Sequence, residues 1–410
     1  MSVSREVELE GHIIDSGMMQ ACFGIIMDMG GSFQVEEFEI GRHKTAESYA
    51  RLIVEGDDPQ HLQSIVHELH QNGVNPSDPD DVTLEPAPAD QVVPTDFYST
   101  TNHPTDVRVE GEWIPVEQIE MDCAVTVEFT GDRPRAETEV LNAIEEGDLV
   151  VTGDSGIRVK PPERPRGREG AFGFMQGGVS SERPSETTIA NIAEAIEEIR
   201  SEGGEILAVC GPALIHSGAR EDFARLVREG YVDMLSIGNG FAVHDLERDI
   251  YGTSLGMDTE SLDHPREGHK HHIYTISEII RAGGVPEAVD AGVVGSGVMY
   301  ECVDNDVGFV IAGSIRDDGP LPDTITDAVE AQNAIREQAH RADLVLMLST
   351  MLHSVAVGNC LPSTTRTVCV DINPATVTQL LDRGSAQAAG MVTDVGTFVP
   401  ILAEHLFDER

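Results

Sequence analysis

From residue 185 to the end of the chain, short apolar runs alternate with helix-length amphipathic runs, and this alternation restricts the fold more than any other feature. Strands that are each followed by a helix pair in parallel, with the helices laid over both faces of the sheet. Residues 185–201 read as a helix, 206–210 as a strand and 222–229 as a helix. Residues 232–237 read as a strand ending in Gly238-Asn239-Gly240, and 274–282 as a helix closed by Gly283-Gly284. Then follow a strand at 309–312, a long helix at 325–340, strands at 344–348 and 368–371, and a helix at 375–383. The class is therefore α/β, with an open parallel sheet filling the region 161–410.

Ahead of the Pro- and Arg-rich stretch 161–167 the pattern differs. Residues 7–14 alternate as a strand does. Asp15-Ser16 can cap a helix running to about Met29, which Gly30-Gly31 ends. Residues 32–40 alternate again through Phe33, Val35, Phe38 and Ile40; 48–54 is a further strand, and Asp57-Asp58-Pro59 opens a helix through His70. The order β-α-β-β-α predicts a ferredoxin-like or ACT-like α+β module over residues 1–96. Its tail, 76–96, is rich in Pro and Asp and reads as a linker. Residues 97–160 hold short strands at 106–109, 113–116, 124–129 and 149–152, which predicts a small β-rich subdomain.

Charge narrows the function classes. Lys+Arg is 27 and Asp+Glu is 72, so the formal net charge is 27 − 72 = −45, and Lys44, Lys160 and Lys270 are the only lysines. Such a chain repels phosphate backbones and anionic membrane surfaces, which argues against nucleic-acid and membrane partners. No apolar run reaches the roughly 18–20 residues of a spanning helix, and the start, Met1 to Arg5, shows no signal peptide. The acids lie scattered between apolar runs, which argues for a folded chain. An acid-rich, lysine-poor surface suits a salt-rich cytosol, where the Debye length falls to about 3 Å at 1 M. We therefore expect a cytoplasmic protein of a halophile. Cys22, Cys123, Cys210, Cys302, Cys360 and Cys369 form no C-x-x-C pair. They read as buried small apolar residues, and no metal site is expected.

Open parallel sheets bind ligands at the carboxyl ends of their strands, so the turns there carry the chemistry. The strand 344–348 runs into Ser349-Thr350-Met351-Leu352-His353, and the next strand ends at Asp371, 22 residues after Ser349. An acid at about this spacing is what a dinucleotide site uses to hold ribose hydroxyls. The G-x-G-x-x-G fingerprint is absent, but hydroxyls and backbone N–H groups of 349–353 can replace it at a helix N-terminus. The alternative is an ordinary turn followed by a surface aspartate. At Gly238-Asn239-Gly240, Asn239 can present its amide to a ligand, or the glycines can simply make a tight turn. Gly268-His269-Lys270-His271-His272 sets three histidines around one of three lysines. It reads as a metal site, as a polar pocket where Lys270 handles a carboxylate or an amine, or as a solvated helix start. In the turn 313–322, Arg316 can clamp a carboxylate and Asp318 can accept from hydroxyl or ammonium groups, unless the segment is only a connection. Glu182 and Arg183, after Phe172-Gly-Phe-Met-Gln-Gly-Gly178, either cap a helix or line a polar pocket.

Taken together, Val179-Ser-Ser-Glu-Arg-Pro184, Gly238-Asn239 with His244-Asp245, Gly268-His-Lys-His-His272, Ser296-Gly-Val-Met-Tyr-Glu-Cys302 and Gly313-Ser-Ile-Arg-Asp-Asp-Gly-Pro-Leu-Pro322 resemble one family. It is the archaeal-type ornithine cyclodeaminases, related to the C-terminal half of arginine dihydrolase/ornithine cyclodeaminase fusion enzymes. Asn102-His-Pro-Thr105 and Glu120-Met-Asp122 fit its N-terminal region, which is shared with lysine-ketoglutarate reductase/saccharopine dehydrogenase proteins. The resemblance covers nearly the whole chain. It implies a Rossmann-like domain of the deoxyhypusine synthase type, with NAD as cofactor. Position by position, it implies NAD contacts at Asn239, Gly240, Asp318, Thr350, Met351, Leu352, His353, Asp371, Asp394 and Val395.

The implied reaction turns L-ornithine into L-proline and ammonia. Hydride leaves Cα to NAD+, the δ-amine attacks the resulting imine carbon, ammonia departs, and the hydride returns. Lys270 or a neighbouring histidine, such as His269, would take a proton from the substrate ammonium, and Arg316 or Arg183 would bind the carboxylate. Three rivals remain at this stage: an NAD-dependent amino-acid dehydrogenase of the saccharopine type, a non-enzymatic NAD or amino-acid sensor, and a reading of the histidine cluster as a metal site. A homo-oligomer is expected from the habit of such enzymes.

Overall fold

The computed structural model describes residues 3–14, 17–43, 46–77, 80–129, 133–160, 186–255, 257–258, 268–315, 317, 319–383 and 388–408. The chain divides into two compact units: Met1–Arg168 with Leu361–Thr364, and Glu169–Cys360 with Thr365–Arg410. No described helix is long and apolar enough to cross a membrane.

The first unit begins with β1 (Val3–Gly11), α1 (Met18–Asp28), β2 (Ser32–Glu39), β3 (Ser48–Gly56), α2 (Pro59–Gln71) and β4 (Asn75–Pro76). The sheet order is β2-β3-β1-β4, antiparallel throughout, which is the ferredoxin-like arrangement. Val7 and Leu9 of β1 and Leu52 and Val54 of β3 point inward onto Cys22 and Ile26 of α1 and Ile65 and Leu69 of α2. The start of α2 is fixed locally: Asp58 accepts from the backbone N–H groups of Gln60 and His61, and Pro59 needs no donor there.

A second sheet in the same unit holds β5 (Thr83–Pro86), β6 (Thr105–Val109), β7 (Glu112–Glu117), β8 (Ala124–Glu128), β9 (Arg135–Glu139), β10 (Leu149–Thr152) and β11 (Ile157–Val159), in the order β11-β6-β7-β9-β8-β10-β5. The stretch 76–96 is thus more than the linker its composition suggests: β5 pairs with β10 from Thr83 to Pro86. Proline is admitted because β5 is an edge strand, where one side of the ladder lacks a partner.

The second unit runs α3 (Glu186–Glu202), β12 (Glu205–Cys210), α4 (Ala213–His216), α5 (Arg220–Arg228), β13 (Met234–Gly238) and α6 (Asn239–Tyr251). A small hairpin of β14 (Thr253–Ser254) and β15 (Met257–Asp258) follows, then α7 (His271–Ala282), α8 (Val285–Asp290), α9 (Val298–Asp304), β16 (Gly308–Ala312) and β17 (Thr324–Ile325). The chain ends with α10 (Ala328–Arg341), β18 (Ala342–Leu348), α11 (Leu352–Asn359), β19 (Arg366–Asp371), α12 (Pro374–Arg383), β20 (Ala388–Val392) and α13 (Val395–Asp408). The seven-stranded sheet has the order β17-β16-β13-β12-β18-β19-β20, and every pairing is parallel. This is a Rossmann-like doubly wound fold. The helix expected over 325–340 starts later, because Asp327 caps it by accepting from Val329 and Glu330 N–H, while Ile325 joins the sheet edge.

An ion pair is buried inside this unit. Arg220 Nε donates to Asp245 Oδ1 at 2.6 Å, and both side chains are almost wholly out of solvent. Arg220 Nη2 also donates to the carbonyls of Asp245 and Ser296, and Asp245 Oδ2 accepts from Met299 N–H. The pair thereby ties α5, α6 and the start of α9 together. A Cβ at Gly297 would strike the guanidinium, so only glycine fits beside it. All six cysteines are free and buried; burial pushes the Cys22 and Cys369 thiols up to about 12, which leaves them inert.

In the first unit, His70 is 2% exposed, its Nε2–H donates to Ile157 O, and burial lowers its pKa. The unfolded chain therefore binds a proton more readily than the folded one below about pH 6.5, and stability falls as pH drops through that region. His70→Gln should flatten this acid-side loss of melting temperature relative to the native chain, as read by thermal melts at neutral and mildly acidic pH.

Candidate functional site

The second unit's chain runs outward from β12 through β13 and β16 to β17, then crosses back to β18 on the other side of β12. The strand order reverses between β12 and β18, and the crevice outside the carboxyl ends at such a switch point is where open α/β sheets hold ligands. The backbone is tightly arranged there. Gly211 N–H donates to Leu348 O at 2.9 Å, Ser349 N–H donates to Val370 O at 2.9 Å, and Ser349 adopts φ +51°. A Cβ at Gly211 would collide with the Ser349 carbonyl and crowd Thr350. The turns after the two neighbouring strands are therefore pressed together as only glycine permits.

Immediately beyond, α11 opens at Leu352 with no side-chain cap, and Met351 and Leu352 are exposed. A helix start without a capping side chain, next to a glycine turn, offers backbone donors to an anion. Ser349 Oγ and His353 Nδ1 are buried and have no partner among the described residues, so polar groups here await a ligand. The His353 ring lies on Gly238 at the end of β13, where an added Cβ would stand 3.4 Å from it. Burial lowers the His353 pKa, against the opposing charge of Asp317, so the imidazole stays neutral near pH 7.

Asp371 ends β19. Its Oδ1 accepts from Asn373 N–H at 2.8 Å, and Oδ2 accepts nothing among the described residues. Asp394 caps α13: Oδ1 accepts from Gly396 N–H, and its carbonyl accepts from Thr397 and Phe398. Val395 is in the core, so only its backbone faces outward. Asn239 is 3% exposed and internally engaged; Oδ1 accepts from Leu321 N–H at 3.0 Å and the Thr324 hydroxyl at 2.9 Å, while Nδ2 reaches Gly319 O at 3.5 Å. Its side chain fastens β13 to the segment 319–324. Beside it, Gly240 leaves open space, since an added Cβ would have Pro212 as its nearest neighbour at 4.0 Å. These residues all follow the carboxyl ends of β13, β18, β19 and β20.

Lys270 is half-buried at the end of a one-turn 3₁₀ helix, Gly268–Lys270, that leads into α7. The His269 side chain, together with Arg316, Asp318, Glu182, Arg183 and the stretch 172–178, lies outside the described residues.

Two features escaped the sequence reading. One is Gly211-Pro212 at the switch point; its signal was the Gly directly after an apolar strand. The other is a polar cluster beside α7. Glu247, fully buried, accepts from His244 Nδ1 at 3.0 Å and from Thr253 Oγ1 at 2.8 Å. Thr253 Oγ1 is also 2.8 Å from His271 Nδ1, whose ring stacks on Tyr251 at 4.8 Å. Ser254 Oγ lies 2.7 Å from His216 Nδ1, and the His216 ring meets His244 edge-on. Only the i,i+3 spacing of His244 and Glu247 hinted at it. The described residues place no group of three or more His, Cys, Asp or Glu to hold a metal ion.

Three comparisons bear on this arrangement. The family model "Arginine dihydrolase ArgZ-like, C-terminal, Rossmann fold" matches residues 190–402, its first-region companion matches 104–189, and the "LOR/SDH bifunctional enzyme conserved region" matches 4–103. A protein of Methanopyrus kandleri named ornithine cyclodeaminase is 55% identical, over 98% of this chain and 96% of its own. The crystal structure of apo ArgZ, an arginine dihydrolase of cyanobacteria, superposes with TM-score 0.86 at 40% identity, covering all of this chain and 59% of its own. The ternary complex of AgrE with ornithine and NAD+ matches with TM-score 0.54 at 41% identity, over all of this chain and 58% of its own; the bifunctional AgrE among the relatives is from Nostoc.

The close approach at Gly211 sets a test of the switch point. Gly211→Ala should destabilise the protein by about 1–3 kcal/mol, because the intruding Cβ meets backbone that cannot rotate away. Denaturant midpoints measure this; an unchanged midpoint would show that the turn relaxes freely.

Proposed function

Because this chain belongs to the ornithine cyclodeaminase family, we propose that it converts L-ornithine to L-proline and ammonia, with NAD+ reduced and reoxidised within each turnover. Likeness along almost the entire chain to proteins named for this activity carries the reading. The nicotinamide supplies a reversible hydride acceptor, so the reaction is redox-neutral overall.

The residues present suit a dinucleotide. The uncapped start of α11 would receive the pyrophosphate through backbone N–H groups, where Gly211 keeps the neighbouring turn free of a side chain, with Thr350, Met351, Leu352 and His353 bordering it. Asp371, with one carboxylate oxygen uncommitted, accepts from ribose hydroxyls. Asp394, Val395 and Gly240 contribute from neighbouring turns, mostly through backbone. Asn239 acts by holding the turn after β13, since its own carbonyl is already used. Asp318 completes the set assigned to NAD. A neutral His353 beside Gly238 would add an uncharged polar wall to the site.

For the substrate, Arg316 or Arg183 binds the carboxylate. Lys270, or a histidine next to it such as His269, handles the ammonium proton. The product places the enzyme in proline formation. The net charge of −45 is matched to a salt-rich cytoplasm, and the protein works as a homo-oligomer.

Incubation with NAD+ and ornithine should yield proline with no accumulating NADH; a steady rise in NADH would mean a dehydrogenase instead. Asp371→Ala should weaken NAD binding about tenfold or more, roughly 1.4 kcal/mol, measured by fluorescence titration. Lys270→Met should abolish turnover while NAD still binds, and retained activity would remove Lys270 from the reaction.

A further inference from the structure

We propose that His271 is the proton acceptor for the substrate ammonium, and that Thr253 and the buried Glu247 are positioning residues that hold it in the tautomer able to act. The proposal rests on the ornithine reading above and concerns the same site. It begins with a count of hydrogens along one chain of bonds, Glu247–Thr253–His271.

Glu247 receives a donor on each oxygen, His244 Nδ1 on Oε2 and the Thr253 hydroxyl on Oε1. An ionised carboxylate only accepts. Thr253 owns one hydroxyl proton, and the carboxylate takes it. At 2.8 Å from His271 Nδ1, the Thr253 oxygen can then only accept, so Nδ1 must carry hydrogen. That leaves Nε2 with its lone pair. Neutral imidazole has one N–H and one basic nitrogen, and the bond made by the first decides which nitrogen is basic. Nε2 of His271 makes no hydrogen bond among the described residues.

Other contacts fix the ring itself. It stacks on Tyr251 with 18° between planes, and its backbone carbonyl accepts from the Thr275 hydroxyl in the first turn of α7. Thr253 is 1% exposed and Glu247 0%, so solvent does not compete for the chain of bonds. Burying a carboxylate this deeply is costly unless its bonds serve a purpose, and a network placed to bias one imidazole supplies one. Its setting agrees: α6 springs from the carboxyl end of β13, and α7 begins within the His-Lys-His-His run.

In the reaction, one proton passes from the substrate ammonium nitrogen to Nε2, giving a neutral amine and an imidazolium whose charge the Glu247 carboxylate stabilises through Thr253. The δ-ammonium loses a second proton before it attacks; one proton returns to the ring amine of proline and one to the departing ammonia, which leaves as ammonium, so none is gained or lost over the cycle.

Two readouts test this, one independent of turnover. Nitrogen-15 NMR of histidine-labelled native protein near neutral pH should show His271 with hydrogen on Nδ1, the form less favoured in free imidazole side chains. Thr253→Val should shift it to the Nε2–H form and lower kcat about 10²-fold, with KM for ornithine and NAD affinity within about threefold. Thr253→Ser, which keeps the hydroxyl, should restore both. Should Thr253→Val fail to fold, Glu247→Leu frees the hydroxyl to donate to Nδ1 and should give the same shift. A native His271 already in the Nε2–H form, or a Thr253→Val enzyme as fast as the native one, overturns the relay. Native protein that leaves ornithine unchanged while His271 shows the Nδ1–H form overturns the activity reading instead.

Discussion

The parallel pairing of β12 with β13 on one side and β18 on the other sets the terms for the rest of the second unit. Because every strand of that sheet points the same way, every following turn is delivered to one edge. Because the chain reverses its direction of growth between β12 and β18, two of those turns must separate there. Gly211 lets their backbones approach closely before they diverge, and α11 starts at the point of divergence. The residues proposed for the cofactor, distant in sequence, meet at this edge because sheet geometry leaves them no other place.

The same unit is stabilised and specialised by different polar groups. Arg220 and Asp245 are buried and paired, and their remaining bonds go to backbone groups and to Glu221; they fasten helices. Glu247 is equally buried, but the bonds it accepts from His244 and Thr253 lead to imidazoles. Two carboxylates on one helix, two residues apart, thus face opposite tasks. Their sequence neighbourhood, His244-Asp245-Leu246-Glu247, gives no hint of which is which.

Much of the fold was open to reading, for reasons visible in particular residues. The alternation of Val7 and Leu9 with charged neighbours and the Asp58-Pro59 cap both act locally, so the ferredoxin-like order could be foreseen. β9, Arg-Ala-Glu-Thr-Glu, could not: only Ala136 is buried, and the strand exists because β7 and β8 hold it between them. Asp371 was picked out by its distance from Ser349, since a βαβ unit has a nearly fixed length. That the amide oxygen of Asn239 is engaged inside the fold could not be read, because Leu321 and Thr324 lie more than 80 residues away and only folding brings them to it.

The sequence by itself determined the element order, the parallel character of the large sheet, the family resemblance and a strongly acidic composition. These follow from periodicity, local capping and composition, which act over a few residues. Tertiary structure decided which polar side chains are consumed by the fold and which remain for chemistry. A hydrogen bond depends on positions in space that strand order alone assigns, as Thr253 between Glu247 and His271 makes plain.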